Sequence, residues 1–420
     1  KNLQRLDISG ARIVEGGDKY YQNYLTANDI TGDYMFCNLP NLTRLVLSNH
    51  TTKIATAALS NCTGLTEIEI PASVTSVEKA VFNGCNQLLL INWNAQAAIT
   101  AESFDTPAKM GNLLIFAPEG TGCTYEGNVV INGMAEKISL THGKGFRSPQ
   151  AFKAKDITYK RNFSMKSGNK INAAGWEAIV LPFDVQSFSN EKQGELAPFN
   201  SGKKGAKPFW LAQMTTDGFE HTTAMKANKP YIISLPNSES YEDEFNISGE
   251  VQFHAEDASG VEVKATSYKE LARIEGSNRI MAPAYETVFK HDTVYAINPA
   301  TYENIAPGGA FVRNLRDVQP FETYLISKEA AVNAPKLYSI GGIGGEITGI
   351  EELPSDAWNG IEIYVRYGVL YIKSDRERTF SIYDTAGHMV RQVEVQEGTT
   401  AVTGLGKGIY LLARKKILVQ

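Results

Sequence analysis

A period of 23 residues near the start of the chain constrains its fold more than any other feature of the sequence. Aligning the chain with itself at this shift gives columns of matching side chains, which are Leu42, Leu65 and Leu88, then Leu45, Ile68 and Ile91, then Leu47, Ile70 and Trp93, with Phe36, Leu59 and Phe82, and Leu39, Cys62 and Cys85, in further columns. Chance does not keep so many columns in register, so one structural unit is repeated.

Each copy reads L-x-x-L-x-L, which is the signature of a leucine-rich repeat. One unit offers a short strand whose apolar stripe it cannot bury alone, and stacking copies about 4.8 Å apart gives a parallel sheet over a continuous core. The segment "LQRLDI" at 3–8 is an earlier copy that begins 39 residues before the next one. We therefore expect a solenoid in which a surplus of 16 residues loops out of the first turn.

These repeats resemble the BspA-like family of bacterial cell-surface leucine-rich repeats. The unit "LTEIEIPASVTSVEKAVFNGC" has Ile-Pro after the strand and Ala-x-Phe-x-x-Cys before the next Leu, as that family does. The unit that ends in Cys62 departs from the pattern, with "LSNH" at the Ile-Pro step and Leu59 at the Phe position. The resemblance covers about the first 120 residues. It implies a secreted or surface protein linked to adhesion and host-protein binding, with little enzymology.

Two cysteines occupy equivalent places in neighbouring copies of the repeat, Cys62 and Cys85. We expect both to be buried thiols, because free cysteine is usually buried and inert. A disulfide between them is the alternative. It is disfavoured because parallel side chains keep their Cβ atoms about 4.8 Å apart, beyond the preferred separation of about 3.5 to 4.5 Å.

The middle of the chain, from about 125 to 338, carries short strand patterns bounded by Gly, Pro, Asn and Asp. Examples are "WEAIVLPFDV", "KPYIISLP" and "PFETYLIS", and no convincing amphipathic helix interrupts them. We predict one large antiparallel β domain, for which a sandwich of two sheets is one arrangement. The following stretch at 339–360 is glycine-rich and then acidic, a composition typical of a linker.

The C-terminal segment alternates with period two in "IEIYVRYGVLYIKSD" and "GIYLLARKKILVQ", which predicts a small β-sandwich. The pairing of "IYDTAGHMV" with "GLGKGIYLL" resembles the immunoglobulin-like C-terminal modules of exported bacterial proteins. Some of those modules are type IX sorting signals and others are plain stalk pieces.

The predicted fold class is mainly β, with a short leucine-rich-repeat solenoid followed by a large antiparallel β domain and a small C-terminal β-sandwich. The predicted boundaries are 1–122 for the solenoid, 123–340 for the all-β domain, 341–358 for the linker and 359–420 for the immunoglobulin-like sandwich.

Charge and hydropathy exclude two classes of partner. A formal net charge of -5 and a pI near 5.8 argue against nucleic acid, whose binding relies on Lys and Arg neutralising phosphates. No run of 18 apolar residues occurs, so the chain is not expected to span a membrane. The opening "KNLQRLDISG" has neither an initiator Met nor an apolar signal core, and it resembles an interior cut.

No sequence motif points to catalysis, a metal or a cofactor. The six histidines are scattered without H-E-x-x-H, and G-x-S-x-G is absent. The acidic stretches at 239–245 and 254–260 lack the spacing of a calcium loop. We predict that the protein is not an enzyme and needs no cofactor. The alternative is an exported hydrolase or carbohydrate-processing enzyme with its site in the middle β domain, since a pair of carboxylates on separate strands leaves no local motif.

Two surfaces are candidates for binding a protein or glycan ligand. One is the outward face of the repeat strands, because residues that alternate with the inward Leu and Ile point to solvent. The other is the looped-out insertion, where aromatic residues of the kind enriched at interfaces cluster. The alternatives are an ordinary solvated sheet face and tyrosines that pack on the solenoid edge. The candidate binding residues are Arg44, Glu67, Glu69 and Asn92 on the face, and Tyr20, Tyr21 and Tyr24 on the insertion.

Overall fold

The protein is described by a computed structural model that covers residues 3–165, 175–216, 218–237, 246–267, 269, 271–330, 332–340, 361–366, 369–384, 389–412 and 415–419. In these residues helix is limited to the 3-10 turn Ala101–Ser103 and to α1 (Pro107–Met110), and strands supply the remaining regular structure. The prediction of a mainly β protein is therefore confirmed. The chain divides into two compact units, Lys1–Gly349 and Ile350–Gln420. The predicted linker at 341–358 lies outside the described residues.

Residues 3–131, here called the repeat region, contain eleven strands. They are β1 (Arg5–Asp7), β2 (Gly16–Tyr21), β3 (Tyr24–Thr26), β4 (Ile30–Thr31), β5 (Arg44–Val46), β6 (Lys53–Ile54), β7 (Glu67–Ile70), β8 (Ser76–Val77), β9 (Leu90–Trp93), β10 (Leu114–Ala117) and β11 (Asn128–Ile131). Strands β1, β5, β7, β9, β10 and β11 pair in that order, each parallel to its neighbour. Strands β4, β6 and β8 form a second parallel sheet, and β2 pairs with β3 in a hairpin.

The 23-residue register places the apolar columns in one core. Leu45, Ile68 and Ile91 are paired neighbours across three strands, and none is more than 1% exposed. Glu69, which alternates with the inward Ile68 and Ile70, is exposed. The expected alternation is confirmed for β7, where a one-residue slip would have turned every side chain to the other face.

The turns of successive repeats share two left-handed positions. A positive φ recurs at Tyr34, Ala57 and Ala80 (58°, 53° and 58°) and at Asn38, Asn61 and Gly84 (57°, 58° and 77°). Asn and Gly tolerate this region, whereas Ala and Tyr adopt it at a cost of about 1 to 2 kcal/mol per residue. The side-chain amide of Asn61 also donates to Oδ1 of Asn38 at 3.2 Å, which links one turn to the next.

The two stacked cysteines are buried, as expected, and each thiol contacts the preceding repeat. Sγ of Cys62 donates to the carbonyl oxygen of Phe36 at 3.0 Å, and Sγ of Cys85 donates to that of Leu59 at 3.2 Å. Both cysteines are free. Burial raises the pKa of Cys62, and it raises the pKa of Cys85 to about 12. Both side chains are therefore neutral thiols at physiological pH.

In its described residues, the middle of the chain holds fifteen strands. They are β12 (Met134–Thr141), β13 (Phe152–Asn162), β14 (Glu177–Ile179), β15 (Ser187–Asn190), β16 (Gly194–Pro198), β17 (Lys207–Met214), β18 (Phe219–His221), β19 (Tyr231–Ser234), β20 (Glu250–Val263), β21 (Ile274–Glu275), β22 (Arg279–Ala284), β23 (Val294–Ile297), β24 (Ala310–Arg313), β25 (Glu322–Ser327) and β26 (Leu337–Ser339).

The parallel sheet of the repeat region continues into the middle of the chain without a break. Strand β11 turns into β12 through Asn132 and Gly133, whose φ values of 49° and 78° match the Asn-Gly turn that favours a tight hairpin. From β12 the order is β13, β20, β15, β16, β17, β19 and β14, with β18 beside β17. A separate sheet has the order β21, β22, β25, β23, β24 and β26.

The expectation of a purely antiparallel middle domain is wrong at two pairs of strands. Strands β12 and β13 are parallel, and so are β16 and β17. The ten-residue connection 142–151 carries the chain back along β12, so that β13 runs in the same direction. The other pairs of the middle strands are antiparallel.

The middle domain also covers part of the repeat sheet. Leu114 of β10 and Val130 of β11 belong to the apolar core that contains Phe146 from the 142–151 connection. Leu90 precedes Leu114 in the same outward row and is 2% exposed. Leu90 alternates with the inward Ile91, so the sequence pattern predicts that it faces solvent. This prediction is wrong, because neighbouring protein packs on the outer face of the last repeat strands.

The described part of the C-terminal unit contains seven strands. They are β27 (Ile361–Arg366), β28 (Val369–Ser374), β29 (Arg378–Asp384), β30 (Met389–Val395), β31 (Gly398–Val402), β32 (Gly408–Leu412) and β33 (Lys415–Val419). One antiparallel sheet has the order β27, β28, β31 and the other the order β30, β29, β32, β33. Ile372 from the first sheet and Ile382, Val395 and Leu412 from the second share one buried cluster. The predicted "TAG" turn at 385–387 lies outside the described residues.

Candidate functional site

The four outward residues predicted for binding lie on one face of three adjacent strands. Arg44 of β5 is paired with Glu67 of β7, and Glu69 of β7 is paired with Asn92 of β9. Arg44 and Glu69 are exposed, while Glu67 and Asn92 are half-buried. Adjacent strands are about 4.8 Å apart, so the four side chains form a small, closely spaced polar surface. We call it the outer face.

An arginine from the middle domain closes one side of the outer face. Nη1 of Arg147 lies 3.4 Å from Oε2 of Glu67, while its Nε and Nη2 donate to the two carboxylate oxygens of Glu286 at 2.9 and 2.6 Å. The hydrogen bond to Glu286 is the main reason that the pKa of Arg147 is raised. Sequence reasoning missed Arg147 and Glu286, because Arg147 lies 80 residues from Glu67 and 139 residues from Glu286, and the three share no local pattern.

The rest of the outer face is more open. Glu69 accepts a hydrogen bond of 2.8 Å from the side-chain amide of Asn94, at the surface. Arg44 has no ion pair within the described ranges. The outer face thus offers a partner the cation of Arg44, the anion of Glu69 and the amide of Asn92. They lie beside the contact between Arg147 and Glu67.

The tyrosines of the insertion form a separate cluster on the β2–β3 hairpin. Tyr21 stacks on Tyr34 with ring centroids 5.2 Å apart, and Tyr24 lies within 6.5 Å of both Tyr20 and Tyr21. The hydroxyl of Tyr20 donates to the carbonyl oxygen of Asp33 at 2.9 Å. These tyrosines are half-buried, and their contacts with Asp33 and Tyr34 place them against the turn that precedes β5.

The structure therefore divides the predicted residues into two groups. In the part of the chain that is described, no hydrogen bond or ring contact joins Tyr20, Tyr21 or Tyr24 to the outer face. The described contacts therefore do not join the two groups into a single ligand surface. The outer face is the group whose charged atoms are turned to solvent, and it is the better candidate.

The titratable groups of the middle domain are engaged with one another. Nδ1 of His142 lies 3.0 Å from the hydroxyl of Tyr159, and burial lowers the pKa of His142 to about 3. Arg161 and Glu177 form a buried ion pair of 2.5 Å, and the backbone amide of Ser164 also donates to Glu177. The ion pair neutralises two buried charges, and the contact with Tyr159 gives the uncharged His142 a polar partner, as burial of polar groups requires.

The two acidic stretches considered for calcium have different outcomes. The stretch at 239–245 lies outside the described residues. In the stretch at 254–260, Oδ1 of Asp257 accepts hydrogen bonds from the backbone and hydroxyl of Ser259 at 2.7 and 2.6 Å, where the pairing of β20 with β13 shifts register. No group of three His, Cys, Asp or Glu side chains that could hold a metal occurs among the residues with described positions.

In-register parallel turns, buried apolar columns and an exposed charged strand face define a protein of the repeat class, whose open sheet faces commonly serve as binding surfaces. The family model for the BspA type leucine rich repeat region matches residues 29–115, in 6 copies. This match confirms that the repeats are similar to those of that family. No curated protein and no solved structure matches the chain. Within the described residues, no helix is long and apolar enough to cross a membrane.

Proposed function

We propose that this chain is a secreted or cell-surface bacterial protein whose repeat region binds a protein or glycan ligand in adhesion. The observation that carries the proposal is the outer face itself. Arg44, Glu69 and Asn92 come from three different turns of the repeat and meet on one surface. The match of residues 29–115 to a family with surface and binding roles supports the same conclusion.

Burial of neighbouring residues limits the part of the outer face that a partner can contact. Leu90 and Leu114 occupy the same outward row as Arg44, but they are buried under neighbouring protein. Within the described residues, the sheet surface around Arg44 and Glu69, with the half-buried Asn92 at its edge, is left for a ligand. The outer face carries both signs of charge. We therefore expect a partner with complementary charges, and binding that weakens as salt is added.

Three further assignments belong to the same proposal. We propose a binding role without catalysis, since the titratable groups described above serve packing and charge pairing. Similarity of the repeats to those of a surface-protein family favours an extracellular or cell-surface location. We also propose that 359–420 is an immunoglobulin-like sandwich that acts as a stalk or sorting module, which its two antiparallel sheets over one core support.

The test is an array of host proteins and glycans probed with the intact chain and with an outer-face variant, Arg44→Glu combined with Glu69→Lys. The control is Lys137→Glu, an exposed charge on β12 that lies away from the outer face. We expect the control to bind like the parent and the outer-face variant to lose at least about tenfold in affinity, which corresponds to about 1.4 kcal/mol. Equal binding by all three would exclude the outer face as the site, and chemical conversion of an array ligand would contradict the non-catalytic role.

A further inference from the structure

A cleft of about 170 Å³ opens where the last repeat turn meets strand β12, away from the residues of the outer face. Pro107 and Ala108 of α1, with Leu113 just before β10, give it an apolar side. Ser139 and Thr141 of β12 give it a polar side. The cleft is therefore amphipathic, like sites that hold small ligands by apolar contact and orient them with a few polar groups.

One polar side chain of this cleft is buried without a full set of partners. Asn128 is 5% exposed, and its Oδ1 accepts a 2.7 Å hydrogen bond from the backbone amide of Ser139. The amide nitrogen of Asn128 finds no acceptor among the residues that the structure describes. The fully buried polar atoms that lack a partner do not include this nitrogen, so it is open to the space of the cleft. An oxygen atom of a ligand in the cleft would supply the missing acceptor.

The charges at the rim select among ligand classes. Lys144 and Glu126 both line the cleft, both are exposed, and neither makes an ion pair within the described ranges. The methylenes of Lys144 lie 3.6 to 3.7 Å from the Cβ position of Gly111, which places its side chain across the end of α1. An anionic ligand would meet the carboxylate of Glu126, and a cationic one would meet the ammonium of Lys144. A neutral ligand whose hydroxyls both donate and accept suits the pair.

We propose that this cleft binds one neutral hexose residue, such as the end of a glycan chain. The ring carbons would lie on the apolar side and the hydroxyls would meet Asn128, Ser139 and Lys144. The volume is below the roughly 300 to 1,000 Å³ of sites for larger ligands, which limits the occupant to about one sugar unit. The inference rests on the proposed function in its choice of a glycan, but it concerns a second site.

The experiment titrates the full chain with the methyl glycosides of glucose, galactose, mannose and N-acetylglucosamine, followed by calorimetry and saturation-transfer NMR. Glucuronate and glucosamine serve as the charged comparators. Ala108→Phe fills the cleft from an exposed position of α1, and Lys144→Ala removes one donor without filling it. Lys137→Ala is the matched control, because Lys137 is an exposed lysine of β12 that does not line the cleft.

We expect at least one neutral glycoside to bind, Lys144→Ala to weaken it about tenfold, Ala108→Phe to abolish it, and Lys137→Ala to leave it unchanged, with circular dichroism unaltered throughout. Absence of binding by every neutral glycoside, tighter binding of glucuronate or glucosamine, or binding that survives both cleft variants would overturn the proposal. An array ligand that is lost with the outer-face variant, together with no neutral glycoside bound by the parent chain, would uphold the proposed function while overturning this inference.

Discussion

Replacing Ile68 by Ala should destabilise the repeat region strongly, because Ile68 lies at the centre of its stacked core. The side chain is 1% exposed and pairs in register with Leu45 on one side and Ile91 on the other. The change removes three carbon atoms, which costs about 2.4 kcal/mol of transfer free energy at about 0.8 kcal/mol per carbon. The cavity left behind raises the loss to within about 2 to 5 kcal/mol. Glu69→Ala, one residue further on the exposed side, should cost less than about 0.5 kcal/mol.

Thiol labelling gives a local assay, because the chain has more than one unit and a global melt would mix their transitions. Cys62 and Cys85 should react with a thiol reagent only when the repeat core opens, and peptide mapping separates them from Cys37 and Cys123. A loss of about 2.4 kcal/mol predicts labelling about 50-fold faster in Ile68→Ala. Equal acceleration by Glu69→Ala would refute the register.

The same labelling tests the state of the two stacked cysteines. Each thiol donates to a carbonyl of the preceding repeat, so we expect labelling that requires denaturant and proceeds without reductant. Intact mass should be unchanged by reduction. A gain of two protons on reduction that maps to Cys62 and Cys85 would instead show a disulfide. The two repeats would then be cross-linked, as suits an oxidising environment.

Three further predictions concern single side chains. Ala80→Gly should raise the free energy of unfolding of the repeat core by about 1 kcal/mol, measured as slower labelling of Cys62 and Cys85, because Ala80 has a φ of 58°; Ala58→Gly, at a fully buried alanine without a positive φ, should lower it. Arg147→Met should lower it by about 1 kcal/mol at low salt and by less in 1 M NaCl, since its carboxylate contacts are partly exposed and screened. Burial lowers the pKa of His142 to about 3, so the unfolded chain binds that proton more tightly. Stability should therefore fall as pH drops from about 6.5 towards 3, by at most about 1.4 kcal/mol per pH unit, and His142→Gln should flatten an acid-unfolding curve over that range.

The repeat could be predicted from sequence because its information is local and periodic. The columns through Leu45, Ile68 and Ile91 recur every 23 residues, and a strand with period two has only one way to bury them. The left-handed turn positions were not predicted, although their spacing follows the same period. Ala57 and Ala80 gave no residue-type signal there, because glycine or asparagine is what marks such a position.

The surroundings of the candidate site could not be predicted, because they depend on contacts between distant segments. Arg147 meets Glu67 and Glu286 only after the sheet has continued through β11 and β12. The sequence pattern places Leu90 on the outward side of β9. Its burial could not be predicted without knowing that the middle domain packs on the last repeat strands. Likewise, the open side-chain amide of Asn128 could not be recognised from sequence, because it depends on which groups surround it in the fold.

The continuity of the sheet bears on where the predicted boundary between residues 122 and 123 falls. That boundary remains a prediction, but it would separate β10 from β11, which pair through four residues beginning with Leu114 and Asn128. It would also remove the partners of Leu114, whose side chain belongs to the core built by Val130 and Phe146. A parallel strand that loses its neighbour presents unpaired amides and carbonyls, which favours association with other chains. The outer face and the cleft are therefore best studied in the intact chain, where the same packing that narrows the outer face also builds the polar wall of the cleft.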